Sequence, residues 1–368
     1  MHGTATKPSP TMPSIPTLFA AWLRKQSAIL TTIAGRHQWK RAGIFAAIGV
    51  LIAFVLQEAL IAGIKRYPYG NVGIMNSIMT GQVNASVLVS GSSRAMYHYD
   101  VRIIEEQTGQ SAYNIGRDGT KLHEQLALLR LYLKHNRPPQ FLIQNVDITA
   151  FQPNDDITDP KQYVAWLSDP DIYGPLASQK RYYMAYKMSP LFALAATGGM
   201  RDAVLGLLRV NADGKSEYKG YSPQRLSWNE DFSRFQVLHP EGLSWKIDPA
   251  KKHNLEELLE LCRKNKIQVV LVYSPDFHET QKFFRNRNET QETFREIADR
   301  FQVAFWDYSK DPICNDVSYF YNSQHMNVRG ASLFSTSLAR RLTTEMVQDR
   351  SGSSTGNPQF ARAASGDR

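Results

Sequence analysis

From residue 86 onward, short apolar runs alternate with stretches of helical periodicity, and this rhythm constrains the fold more than any other feature of the chain. Residues 86–90 read as a buried strand, followed by a helical stretch over 97–108. A second strand is expected at 111–115. Residues 119–135 form a helix with Leu122, Leu126, Leu129 and Leu133 in its apolar set, ended by Pro138 and Pro139. Strands at 140–146, 267–273 and 303–306 and helices at 255–264, 279–300 and 328–347 continue the pattern. Near-continuous apolar strands alternating with helices imply a parallel sheet covered on both faces. The expected fold is therefore a three-layer, flavodoxin-like α/β domain over residues 84–347. In such sheets function gathers at the carboxyl ends of the strands.

Residues 150–250 interrupt the rhythm. They are rich in Pro, Asp, Tyr and Trp and read as an insertion capping the active edge of the sheet. Within them, Lys180-Arg181-Tyr182-Tyr183-Met184-Ala185-Tyr186-Lys187 is a basic–aromatic cluster. Such a cluster can stack sugar rings, sit at a membrane interface, or simply be an amphipathic surface helix. Residues 188–208 are apolar but carry Arg201 and Asp202 in their middle, which argues against a second membrane span. The Ser/Gly/Ala-rich tail at 350–368 is expected to be disordered.

A different signal lies near the start. Residues 43–64 are almost entirely apolar around the whole circumference of a helix, interrupted by Gln57 and Glu58. At 1.5 Å per residue, roughly 20 residues cross a bilayer core, so one transmembrane helix is expected here. The preceding arm, 1–42, carries Lys7, Arg24, Lys25, Arg36, Lys40 and Arg41 and no acid. It supplies most of the net charge of +9, so the large domain is nearly balanced and a nucleic-acid footprint is not expected. An acid-free basic arm before the span implies a cytoplasmic N-terminus. The main domain would then be periplasmic or extracellular, held at a bacterial inner membrane by a single pass. Cys262 and Cys314 have no metal-ligand spacing and can either pair in an oxidising compartment or stay as buried thiols.

Four segments are expected at the active edge of the sheet: Gly91-Ser92-Ser93-Arg94, Asn114-Ile115-Gly116, Gln144-Asn145-Val146-Asp147, and the run from Asn322 to Ala331 that contains His325. An early serine and a late histidine form a nucleophile–base pair when the fold joins them, because a hydroxyl needs an adjacent base near neutral pH. In block order and spacing, about residues 84–345 resemble the SGNH/GDSL hydrolase superfamily, closest to the membrane-anchored branch with D-alanine transfer protein and alginate O-acetylation proteins. The family's G-D-S block is Gly91-Ser92-Ser93 here. Its D-x-x-H-x-N-x-x-G block is Asn322-x-x-His325-x-Asn327-x-x-Gly330.

The resemblance implies Ser93 as nucleophile and His325 as general base, with an oxyanion held by the backbone amides of Ser93 and Gly116 and the Asn145 side chain. The departure is Asn322, where the family has aspartate; in the serine-protease template that exchange costs about 10⁴ in turnover. Asp316 or a backbone carbonyl could compensate. Plainer readings stand beside these: Ser93 as a helix cap, His325 as a structural hydrogen-bonding group, Asn145 as a turn former. His98 and Asp100 are expected at the surface, and Asp155, Asp156 and Asp159 as turn residues. No metal or cofactor is expected. The leading function is an anchored serine esterase or O-acyltransferase acting on a cell-surface or exported polysaccharide, with an integral-membrane acyltransferase as a possible partner. The alternatives are a non-catalytic binding component of an envelope polysaccharide assembly and an incidentally tethered lipase or esterase.

Overall fold

The computed structural model describes residues 36–211, 214–229 and 231–352. The basic arm up to residue 35 and the tail from residue 353 lie outside the described residues. The chain divides into two compact units, one through Ala59 and one from Leu60 onward.

Helix α1, Arg36–Arg66, contains the expected span. Its stretch Gln38–Arg66 has 29 residues and a mean hydropathy of 2.4, and its apolar side chains are almost wholly exposed. A core helix of a soluble domain would bury them, so this helix is long and apolar enough to cross a membrane. From Leu60 the chain belongs to the second unit. There Leu60, Ile64 and Tyr67 are buried in a small apolar cluster with Val164, Leu194 and Ala203. Helix α2, Gly70–Met79, follows at once and is buried along most of its length; no sequence reading anticipated it.

The sheet has five parallel strands: β1 Val87–Ser90, β2 Ala112–Asn114, β3 Phe141–Val146, β4 Gln268–Tyr273 and β5 Ala304–Asp307. Their spatial order is β2-β1-β3-β4-β5. Alternation along the strands builds two cores. Leu88, Leu142 and Leu271 face helices α2, α5 (Leu122–His135), α12 (Pro249–Lys264) and α14 (Arg287–Phe301). Val89, Ile143, Val270 and Val272 face helices α3 (Ser93–His98), α4 (Val101–Thr108) and α15 (Val328–Gly352). The three-layer α/β expectation is what the structure has. The β1-to-β2 crossover runs on one face and the later crossovers on the other, as right-handed connections require when strand order reverses. That reversal lies between β1 and β3, and their carboxyl ends frame a crevice.

Three boundaries differ from expectation. The helix expected at 97–108 is two helices, broken at Tyr99 and Asp100, where the Asp100 carboxylate accepts the Arg102 N–H at 3.1 Å and starts α4. The helix expected at 279–300 is α13 (His278–Phe283) and α14. The insertion at 150–250 contains short helices, α6 Lys161–Val164, α7 Pro170–Gln179, α8 Tyr182–Met188, α9 Pro190–Ala196, α10 Met200–Leu208 and α11 Asp231–Leu238. Helices α9 and α10 meet at a 110° bend, so residues 188–208 make no straight span. Cys262 and Cys314 are both buried free thiols.

Candidate active site

Strand β1 ends in a turn that only glycine can make. Gly91 has φ +148°, and a Cβ there would lie 2.9 Å from both the Ala95 and the Asn145 Cβ. The chain therefore folds back tightly beside β3, and α3 begins at Ser93. As the first residue of that helix, Ser93 has a backbone N–H with no intrahelical acceptor. The hydroxyl of Ser92 leaves the helix end uncapped and donates instead to Asp147 Oδ2, at 2.7 Å, after β3. Asp147 is itself fixed by Thr149, whose N–H and hydroxyl donate to its other oxygen. The two strands at the switch point are thus tied together beside Ser93.

Ser93 and His325 meet. The Ser93 Oγ lies 2.7 Å from His325 Nε2, across 232 residues of sequence. On the other side of the ring, His325 Nδ1 is 3.0 Å from Asn322 Oδ1. That same oxygen accepts the backbone N–H groups of Gln324 and His325, at 3.0 and 2.9 Å. Two donors that cannot change sign fix which end of the amide faces the ring. Oδ1 is therefore the acceptor, Nδ1 carries the proton, and Nε2 keeps a lone pair for the Ser93 hydroxyl. Asn322 thus sets the tautomer that a general base would need, without a charge.

The rest of the histidine block holds this turn in place. Asn327 Oδ1 accepts the N–H groups of Arg329 and Gly330 at the start of α15, while its amide donates to the Ser318 carbonyl. A Cβ on Gly330 would lie 2.3 Å from the Tyr319 carbonyl oxygen, so no larger residue fits. Asp316 takes no part in orienting the imidazole: it is exposed, and its carboxylate accepts the Ser318 N–H.

His98 and Asp100 require correction, since both are buried. His98 Nε2 accepts the N–H of Met326, next to the candidate base, at 3.0 Å, and its Nδ1 lies 2.9 Å from Ser274 Oγ. This ring bridges α3 to the His325 turn and to the end of β4. Burial, then the Arg94 charge, hold its pKa well below the usual histidine value, so it serves as a neutral bridge. Arg94, the neighbour of Ser93, is buried as well. Its guanidinium donates to the Ser274 hydroxyl and carbonyl, lies 3.6 Å from Asp276 Oδ2, and stacks over Tyr273. In sequence it is one more basic residue in a helix; its burial depends on β4, some 180 positions away.

The electrostatics suit a base. His325 is pushed down to about 4, chiefly by burial and then by the Arg94 charge, with Asp147 opposing. Tyr321 stacks on the imidazole at 5.5 Å and Tyr97 meets it edge-on at 5.6 Å. Near neutral pH the ring is unprotonated and free to accept the serine proton.

Beside the Ser93 N–H, the other two expected oxyanion donors behave differently. Asn145 Oδ1 accepts the Tyr99 hydroxyl at 2.7 Å, which orients its amide. Its Nδ2 is buried and has no hydrogen-bond partner among the described residues. A buried donor without an acceptor is costly, and a developing oxyanion would satisfy it. The Gly116 N–H, by contrast, donates to Asn114 Oδ1 at 2.9 Å, while the Asn114 amide donates to the Ala95 carbonyl. Gly116 packs closely on α3, where a Cβ would lie 2.5 Å from the Ala95 Cβ. Its N–H would reach an oxyanion only as a donor shared with Asn114.

Beside Tyr97 opens a cleft of about 470 Å³, walled by Tyr67, Tyr69, Asp118, Lys161, Lys215 and Glu217 among others. Ser93 and His325 are not part of its walls. Among the described residues, no cluster of His, Cys, Asp and Glu is arranged to hold a metal ion. Asp155 instead pairs with the buried Lys251, and Asp159 accepts from Asn71 at 3.2 Å.

No family model matches the chain, and no curated protein matches it. Solved structures do. A GDSL-like lipase from Bacteroides thetaiotaomicron is 13% identical, with a TM-score of 0.31, covering 70% of this chain and 88% of its own. An acylhydrolase, so described provisionally, from Bacteroides fragilis is 12% identical, with a TM-score of 0.32 and coverages of 70% and 87%. A protein from Streptococcus pneumonia, described provisionally as a platelet activating factor, is 13% identical, with a TM-score of 0.38 and coverages of 81% and 98%. At these values the likenesses are weak, and the chemistry of the site stands on its own geometry.

Proposed function

We propose that the chain is a membrane-anchored serine esterase or O-acyltransferase, with Ser93 as nucleophile and His325 as base. The observation that carries this reading is the 2.7 Å Ser93–His325 contact on an imidazole whose tautomer Asn322 sets. In the first half-reaction Ser93 Oγ attacks the acyl carbonyl and its proton passes to His325 Nε2. The tetrahedral oxyanion forms against the Ser93 N–H and Asn145 Nδ2. The intermediate collapses, the alcohol departs with the proton from His325, and the acyl group remains on Ser93. A water or sugar hydroxyl then attacks the ester, giving its proton to His325; as this second intermediate collapses, His325 returns that proton to Ser93 Oγ and the acid or new ester departs.

The resemblance to the membrane-anchored SGNH branch supports an exported or cell-surface polysaccharide as substrate. So does a neighbouring cleft lined by tyrosines and by charges of both signs. The basic arm and apolar helix support an inner-membrane protein with a cytoplasmic N-terminus, a periplasmic domain and an integral-membrane acyltransferase partner. A second reading, a glycan-binding component without turnover, is favoured by the uncharged Asn322 and the engaged Gly116 amide.

Fluorophosphonate labelling of the full chain in detergent separates the two. Covalent labelling that disappears in Ser93→Ala, together with aryl acetate turnover, supports the enzyme. A folded chain that neither labels nor turns over at any pH from 5 to 9 overturns it.

A further inference from the structure

An ordinary surface helix turns its polar face outward; helices α9 and α10 leave largely apolar faces outward instead. In α10, Asp202, Ala203 and Gly206 face the protein, while Val204, Leu207 and Leu208 are exposed, with Arg201 as the single exposed polar side chain. In α9, Ala193 and Leu194 are buried and Phe192, Ala195 and Ala196 are exposed. Met184 and Met188 of α8 are exposed too, at 63% and 82%. Scattered exposed apolar residues need no explanation, but outer faces this apolar on consecutive helices mark a contact surface.

Two further observations identify what covers it. First, α10 is joined to the end of the apolar helix α1. A Cβ on Gly206 would lie 2.1 Å from the Gly63 carbonyl oxygen, and one on Gly63 would lie 2.1 Å from that of Ala203, so the two backbones touch. Ile64 and Tyr67 complete the contact in one cluster with Leu194 and Ala203. An element bound to the last turns of a membrane span sits at the membrane surface. Second, the charge of this stretch is one-sided: between residues 180 and 210 stand Lys180, Arg181, Lys187, Arg201 and Arg209, against the single acid Asp202, although Lys180 lies 3.8 Å from Asp156 outside the stretch. Asp202 is buried and paired with Lys161 at 2.7 Å. An apolar face flanked by basic residues is the pattern of a helix lying in the interface of an anionic bilayer. The 110° bend and the protein-facing side of both helices fit a segment lying in the interface, not one surrounded by lipid.

We propose that α8 to α10 form a second membrane-contacting element, seated in the headgroup region of an anionic phospholipid leaflet. The insertion would then carry a lipid contact of its own, made by residues of the second unit. This rests on the membrane span proposed for α1 and not on any enzymatic activity.

The test uses the full chain in vesicles of phosphatidylcholine and phosphatidylglycerol. Phe192→Cys and Leu208→Cys, each carrying an environment-sensitive fluorophore, are compared with Arg340→Cys on the exposed side of α15. Lipids with a spin label near the headgroup report contact at the ~5–10 Å depth expected of such helices. The expected result is strong quenching and a blue-shifted emission at positions 192 and 208, with little of either at 340. Quenching at 192 and 208 no greater than at 340 overturns the proposal. So does protection from aqueous iodide without lipid quenching, which would mean that protein, such as a second copy, covers the face.

Discussion

His325 can act as a base because its second nitrogen is occupied in a particular way. In the serine-protease template, exchanging aspartate for asparagine leaves the ring in the wrong tautomer and costs about 10⁴ in turnover. Here the amide is locked by two backbone donors, so only the missing negative charge is lost. Two expectations follow. The acid limb of the kcat/KM profile should lie near pH 4, where His325 gains its proton, because the depressed pKa keeps the base active above that value. Asn322→Asp should move that limb to higher pH, since a carboxylate favours the imidazolium, and should raise turnover by about tenfold or more, within the roughly 10⁴ of the template. A pH–rate series on both forms checks the pair; an acid limb unmoved by Asn322→Asp would separate Asn322 from the base. Asn145 is the other residue with a definite expectation. Asn145→Ala removes the unpartnered donor and should lower kcat by about 10²–10³ with KM little changed.

At the scale of elements, the site depends on how tightly neighbouring backbones approach. The β1–α3 turn places Ser93 because Gly91 admits a conformation and a proximity to β3 that a side chain forbids. The contact between α1 and α10 rests on Gly63 and Gly206 in the same way. Gly206→Leu should force these helices apart, costing about 1–3 kcal/mol or more as overpacking strain. A lowered thermal midpoint of the full chain in detergent, with the Ser93 chemistry retained in the surviving folded fraction, is the expected signature. An unchanged midpoint would mean that the close approach adds nothing to stability.

For the whole molecule, the buried ionic network beneath the site carries both stability and pH response. Arg94 and Asp276 are each almost fully buried, and Arg94 keeps its charge because Asp276 faces it. Arg94→Ala removes the larger of the two cationic influences on the buried Asp276, the other being Arg287, while burial already pushes its carboxyl pKa up; the loss should cost at most the ~3–5 kcal/mol typical of breaking a buried pair, and urea unfolding should show it. His98 and His325 are both held neutral in the fold, with pKa values below those of the unfolded chain. Between about pH 6.5 and pH 4 these two histidines therefore bind more protons in the unfolded state than in the folded one, and their contribution to stability should fall as pH falls through that window, opposed at its acid end by buried carboxyls such as Asp276 whose pKa is raised. Unfolding free energies at pH 7 and pH 5 measure it, and His98→Gln should flatten the dependence.

Local regularities in the sequence determined much of this protein. The short, near-continuous apolar runs and the helical stretches between them specify a covered parallel sheet, and a longer continuous apolar segment specifies a helix able to span a membrane. Both signals repeat over many neighbouring residues, so they survive single irregularities. The serine turn and the histidine block were also legible, because each places its own turn residues close in sequence: Gly91 beside Ser93, and Asn322, Asn327 and Gly330 around His325. What only the tertiary structure decided are pairings between distant segments. The burial of His98 and Arg94 depends on Ser274 and Asp276, far along the chain just after β4. The engagement of the Gly116 amide depends on how the Asn114 side chain turns, and the lone donor of Asn145 on the Tyr99 hydroxyl. Such pairings are single long-range contacts with no periodicity to announce them, and packing alone determines whether a polar group is a partner, a bridge or an open donor.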